Sequence, residues 1–201
     1  MTEWITDLIE QSGYPGIMLL MFLENLFPPL PSEVIMPMAG FTASKGELSI
    51  VGVLIAGTAG TVAGAIFWYT VARWLGEERL KNWADRHGRW ITLHPREIDR
   101  IDDWFDRHSR WAVPLGHLVP GIRTLISIPA GLFGMKPPTF VLLTTLGAGA
   151  WTSALGLAGY ILGAKFDSVE RYMGPASTAI MAGIALYYLY RVVTFRRGEA
   201  A

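Results

Sequence analysis

Two acids and an arginine stand in stretches of this sequence that are otherwise too apolar to hold charge. Glu24 and Glu33 flank a proline cluster, in Glu24-Asn25-Leu26-Phe27-Pro28-Pro29-Leu30-Pro31-Ser32-Glu33, and Arg123 lies within a second, in Gly116-His117-Leu118-Val119-Pro120-Gly121-Ile122-Arg123-Thr124. A carboxylate can exchange a cationic partner for a proton, while a guanidinium keeps its charge and presents a rigid fork that matches a phosphate. Together they suit a cycle in which the acid releases the arginine and the arginine engages a phosphate group. The same residues could instead form an internal ion pair that only fastens two segments together, and the two readings can coexist. His117 could shuttle protons, bind phosphate when charged, or simply be hydrogen-bonded in place. His87, His94 and His108 fall in a polar stretch, and with no tight ligand spacing neither a metal site nor a cofactor is expected.

The medium around these charges follows from composition. Of 201 residues 51% are hydrophobic, with 22 Gly, 8 Trp and a positive mean hydropathy, which points to the bilayer as solvent. Lys plus Arg and Asp plus Glu both total 17, so net charge gives no sign of a nucleic-acid partner. The absence of cysteine excludes disulfides, thiolate metal sites and Cys nucleophiles. Glu3, Asp7 and Glu10 stand where a cleaved signal peptide would carry basic residues, so the N-terminal segment is expected to persist in the mature protein.

Three uncharged runs, 48–72, 137–164 and 174–190, are long enough for helices that cross a hydrocarbon core of about 30 Å. Glycines at intervals in the first two, among them Gly57, Gly60, Gly64, Gly147, Gly156 and Gly159, let helix backbones approach closely. Four shorter apolar runs, 11–23, 34–44, 111–122 and 124–135, are divided by charges or prolines and read as membrane-dipping segments. Pro28, Pro29, Pro31 and Pro37, and Pro114, Pro120 and Pro129, are expected to break a straight helix there. The expected fold class is therefore an all-α integral membrane protein with two re-entrant hairpins. Such irregular backbone is tolerated at depth only against protein or a water-filled cavity, so the hairpins should meet inside the molecule.

The segment 73–110 differs in kind, with nine Lys or Arg interleaved with acids and tryptophans. Ile98, Ile101 and Phe105 recur near helical period after Pro95, which predicts amphipathic helices at a membrane surface or a solvated loop packed on the bundle. Basic residues here and at Arg191, Arg196 and Arg197 place this loop and the C-terminus in the cytoplasm by the positive-inside rule. The expected layout is a single membrane domain over 1–201. It has an N-terminal helix to 24 that spans or lies in the interface, a hairpin over 25–47, a transmembrane helix over 48–75 and an amphipathic segment over 76–109. A second hairpin over 110–136 and transmembrane helices over 137–164 and 174–195 complete it.

Sliding the chain against itself by about 91 residues places Pro29 on Pro120, Ile35 on Ile126, Ala39-Gly40 on Ala130-Gly131, Lys45 on Lys136, Thr61 on Thr152 and Tyr69 on Tyr160, an internal repeat of the kind found in transporters. With the two long helices running in opposite senses the repeat is inverted, its hairpins enter from opposite faces, and a site lies near the midplane where their tips converge.

At these residues the sequence resembles the DedA family, also called SNARE-associated or VTT membrane proteins. Glu24 to Glu33 matches the family's Glu-Asn segment leading into Pro-Pro-x-Pro-Ser-Glu. His117 to Thr124, followed by Pro129 to Gly131, matches its Arg-Phe-x-Pro-Gly-x-Arg-Thr and Pro-Ala-Gly segments, and the stretch from Trp104-Phe105 to Trp111 resembles the one preceding them. The resemblance implies facing re-entrant hairpins and transport or scrambling of membrane lipids, in bacteria including recycling of undecaprenyl phosphate. It maps the functional acids onto Glu24 and Glu33 and one arginine onto Arg123, while the first arginine of the second motif is replaced by His117. Pro28, Pro29, Pro31, Pro120, Pro129 and Gly131 are the expected hairpin-shaping residues.

The leading expectation is a non-enzymatic transporter of undecaprenyl phosphate in the bacterial cytoplasmic membrane, coupled to protons or cations. A flippase or scramblase for a phospholipid such as phosphatidylethanolamine is the alternative. A lipid phosphatase is a weaker one, because Ser32 and Thr124 have no evident partner base in the sequence. A scaffold that only organises other membrane proteins would be indifferent to Glu24 and Arg123. Gly-rich faces are compatible with a homodimer and equally with packing inside one protomer.

Overall fold

In the computed structural model, residues 2–26, 32–76, 95–119 and 122–162 are described. Among them the regular elements are all helices: α1 (Thr2–Leu26), α2 (Ser32–Ser44), α3 (Ile50–Leu75), α4 (Pro95–Gly116), α5 (Ile122–Leu125), α6 (Ser127–Leu132) and α7 (Pro137–Leu162). Pro28, Pro29, Pro31 and Pro120, most of the amphipathic segment, the run at 174–190 and the C-terminus lie outside the described residues.

Two helices, α3 and α7, are long and apolar enough to cross a membrane. Each has 26 residues, about 39 Å at helical rise. Only 39% of the apolar stretch of each is buried, and side chains such as Val51, Ile55 and Trp74 on α3 and Leu142, Leu146 and Ile161 on α7 point outward. A core helix of a soluble protein would hide that surface; here it is what lipid would wet. The inward face of α3 is built from small residues, including Ala56, Gly57, Gly60, Thr61, Gly64 and Ala65, so neighbouring helices can approach its backbone.

The register of these approaches fixes how the helices run. Thr58 on α3 bonds Thr152 on α7 at 2.8 Å, Leu54 lies against Gly156, and Tyr69 stacks on Phe140 at 4.4 Å. Partner numbers fall on α7 as they rise on α3, so the two long helices are antiparallel. By contrast α1 follows α3 in parallel, with Tyr14 against Gly52, Met18 against Gly60 and Asn25 against Gly64. The tyrosine also caps α3, its hydroxyl accepting from Ser49 N at 2.8 Å, which satisfies one of the orphan donors at that helix start.

The short helices pack across the molecule. A Cβ on Gly40 of α2 would fall 2.0 Å from the carbonyl oxygen of Gly156 on α7, and one on Gly131 of α6 would fall 2.3 Å from the carbonyl oxygen of Tyr69 on α3. Any side chain there would separate the helices.

The prolines correct one expectation. Pro37 and Pro114 do not end helices; they lie inside α2 and α4. Their faces meet glycines on α7, Pro37 against Gly159 and Pro114 against Gly147, and this packing against protein is what offsets the lost hydrogen bond. Pro129 sits in the first turn of α6, where no intrahelical donor is needed. The real break in α1 is at Gly13, whose φ of 56° and ψ of −132° suit glycine alone. Helix α4 begins at Pro95 and runs without interruption through the boundary expected near 109.

Candidate functional site

Glu24 and Asn25 occupy the last turn of α1, and Glu33 the first turn of α2, where the helix N-terminus favours an acid. Arg123 comes from the four-residue helix α5. Arg123 Nη2 donates to Glu24 Oε1 in a buried ion pair that bridges positions 99 residues apart in the chain. Glu33 is half-buried and close enough to act on the charge of Glu24. His117, 1% exposed, is close enough to feel Arg123. All four candidate residues thus gather in one place. Asn25 lies against Gly64 and His117 against Gly147, both near the centres of the two long helices, so the cluster sits about midway along the helices that are long enough to cross a membrane.

Polar atoms of these residues are under-used. Glu24 Oε2, both side-chain polar atoms of Asn25, both ring nitrogens of His117 and Arg123 Nη1 are buried without a hydrogen-bond partner, as are Ser127 Oγ on α6 and Thr144 Oγ1 on α7. Native interiors leave few such groups, and leaving one unpaired costs on the order of 1–3 kcal/mol, more when it is charged. Contacts among the described residues leave these groups unsatisfied. Asn25, Ser127 and Thr144 were not candidates from sequence. A buried amide next to Glu24 is a recognisable signal in hindsight, whereas a serine or threonine in a membrane helix is too common to single out. Ser32 is buried beside Glu33 and accepts from Trp151 Nε1 at 3.4 Å. Among the described residues no three His, Asp or Glu side chains converge as metal ligands.

The shaping residues that can be seen act through backbone proximity. Gly131 lets α6 touch α3, and Pro129 lies in the first turn of α6. Beside that crossing, Tyr69 Oη donates to Met135 O, and Arg73 Nη1 donates to both, at 2.7 and 2.9 Å. This knot anchors the turn that follows α6 to the end of α3.

The VTT domain profile matches residues 30–161. The chain belongs to the VTT-domain, or DedA, family. Among VTT-domain relatives, "Undecaprenyl phosphate transporter A" of Staphylococcus aureus (strain NCTC 8325 / PS 47) is 34% identical over 195 residues, covering 97% of this chain and 96% of the relative. The protein of the same name from Bacillus subtilis (strain 168) is 31% identical over 200 residues, covering 96% and 95%. A Lactococcus lactis subsp. lactis (strain IL1403) protein named "Alkaline phosphatase-like protein" is 36% identical over 196 residues, covering 97% and 92%. No solved structure matches the chain. Family membership and the outward apolar faces of α3 and α7 agree that this VTT-domain chain is a membrane protein.

Proposed function

We propose that this VTT-domain protein carries undecaprenyl phosphate across the bacterial cytoplasmic membrane, by exchange of the Glu24–Arg123 ion pair for a pairing of Arg123 with the lipid's phosphate. The observation that carries the reading is that buried pair itself, set at mid-helix depth amid unpartnered polar atoms. A charge pair used only as a fastener is a poor stabiliser at such depth. The names of the Staphylococcus aureus and Bacillus subtilis relatives support the substrate.

In this reading the second half of α1 and α2 form one re-entrant hairpin, and α4 with α5 and α6 forms the other. The arm α1 runs parallel to α3, while α2 crosses onto α7 and α6 onto α3. Gly40 and Gly131, which make those crossings, are counterparts in the repeat, as are Tyr160 and Tyr69 beside them. The antiparallel long helices then make the repeat inverted, with the hairpins entering from opposite leaflets and the tips meeting at the cluster. Protonation of Glu24 on release of Arg123 supplies the coupling to protons, with Glu33 the adjacent acceptor. His117 contributes a donor where relatives of the family pattern carry a permanent cation, and the C-terminus lies in the cytoplasm.

Proteoliposomes holding the purified protein test this directly. Undecaprenyl phosphate placed in one leaflet should become accessible in the other, faster than in protein-free vesicles, and Glu24→Gln and Arg123→Ala should abolish the gain. Equal movement of phosphatidylethanolamine, or insensitivity to both substitutions, would overturn the reading. The Lactococcus relatives' name favours one other reading, hydrolysis of the lipid phosphate. Release of inorganic phosphate from undecaprenyl phosphate by the same preparation would establish it. The geometry offers it little, since Ser32 Oγ is engaged by a tryptophan indole rather than by a base.

A further inference from the structure

Asn25 is wholly buried, and neither its amide nitrogen nor its amide oxygen has a partner. Its setting is nevertheless closely arranged. The indole of Trp68 donates to its backbone carbonyl at 3.2 Å, and α3 carries glycine opposite, where a Cβ on Gly64 would fall 2.5 Å from the Cβ of Asn25. Two residues of α3 thus fix the position of a side chain that bonds to nothing. A leucine, with the same branching, would fill such a site without the desolvation cost of an idle amide. Asn25 also follows Glu24 directly in the last turn of α1, one peptide unit along the backbone from the acid whose ion pair the proposed transport cycle opens.

Resting on that cycle, we propose that Asn25 is a headgroup ligand: its N–H donates to a phosphate oxygen while Arg123 holds another, and its carbonyl oxygen accepts from the protonated oxygen of a phosphate monoester. A neutral donor suits this position. The cluster already holds two acids and one permanent cation, and an amide grips the phosphate without changing the charge that must be balanced when the lipid leaves. Its acceptor discriminates as well. A monoester that bears a P–OH satisfies both ends of the amide, whereas a phosphodiester group offers no P–OH and leaves the oxygen unpaired, a loss that binding sites turn into selectivity.

The test uses the full-length protein in detergent, titrated with undecaprenyl phosphate, undecaprenol and inorganic phosphate, together with Asn25→Leu and Asn25→Ala. Wild type should bind undecaprenyl phosphate well above undecaprenol, and inorganic phosphate more weakly at the same site. Both variants should bind undecaprenyl phosphate at least about tenfold more weakly, as expected for one lost hydrogen bond to a charged group. Ligand-free Asn25→Leu should melt at or above the wild-type temperature. Wild-type affinity in either variant overturns the assignment, as does a lower melting temperature of Asn25→Leu with affinity intact, the signature of a merely structural amide. Failure of wild type to distinguish undecaprenyl phosphate from undecaprenol sinks the transport reading itself. Inorganic phosphate binding as tightly as the lipid would make the free anion the ligand and overturn the lipid assignment.

Discussion

At one end of α3, Tyr69, Arg73 and the Met135 carbonyl close on one another, and Tyr69 stacks on Phe140. Near the middle of the same helix, where Asn25 lies against Gly64, the polar groups gathered from α1 and α5 do the opposite. Glu24 and Arg123 use one oxygen and one nitrogen on each other and leave Glu24 Oε2 and Arg123 Nη1 idle, and Asn25 uses neither end of its amide. Both places are polar and both join elements far apart in sequence. The difference is satisfaction. A knot whose partners are all present gains stability and fixes a geometry, whereas a half-used network costs more than an apolar core of the same shape. The first is therefore read as architecture and the second as a place kept ready for a ligand.

The widest separation between the two regions should come from the ion pair. Arg123→Ala leaves Glu24 buried beside no cation, and it should cost about 3–5 kcal/mol of stability and reduce transport in proteoliposomes to the protein-free rate. Stability and function then part company in a double variant. Glu24→Leu with Arg123→Met removes both charges at once, and such replacements are commonly neutral or stabilising. It should melt at or above the wild-type temperature and still transport nothing. A double variant that transports at the wild-type rate would mean that the pair is only a fastener, and the contrast between the two regions would disappear.

Next in size is the crossing beneath the knot. In Gly131→Ala the new methyl carbon would meet the Tyr69 carbonyl oxygen at 2.3 Å, and in Gly40→Ala the Gly156 carbonyl oxygen at 2.0 Å. Backbone cannot step aside as a flexible side chain can, so each should cost about 1–3 kcal/mol, read as a lower melting temperature. If the two crossings are counterparts in an inverted repeat, the losses should be alike. A full loss for one and none for the other would argue against that symmetry.

How much of this the sequence disclosed depended on whether a signal was carried by one segment or by two. The long helices were legible, because an uncharged run is a property of one stretch: the expected 48–72 and 137–164 became Ile50–Leu75 and Pro137–Leu162. Glu24, Glu33, His117 and Arg123 could be picked out because a charge or an imidazole in an apolar setting stands out whatever it touches, and the structure adds that Glu24 and Arg123 pair. Pro37 and Pro114 were misjudged, since a proline read alone shows the hydrogen bond it removes and not the glycine on α7 that receives it. The kink at Gly13 and the idle amide of Asn25 were equally hidden. One depends on how the start of α1 packs near Leu48, and the other on what fails to reach the side chain.

The smallest effect bears on the contrast most directly. Tyr69→Phe removes a hydroxyl from the knot and keeps the ring on Phe140. Met135 O retains the donation from Arg73 Nη1 at 2.9 Å, so no buried acceptor is stranded and the cost should be about 1 kcal/mol, the net worth of one hydrogen bond. Transport per folded molecule should stay within twofold of wild type, because the hydrogen bonds of the knot run among Tyr69, Arg73 and Met135 and none of them involves the Glu24 cluster. A Tyr69→Phe protein that folds normally and loses transport would show that the end of α3 takes part in the cycle. The knot would then have to open as the hairpins move, and the division between architecture and site would run somewhere else.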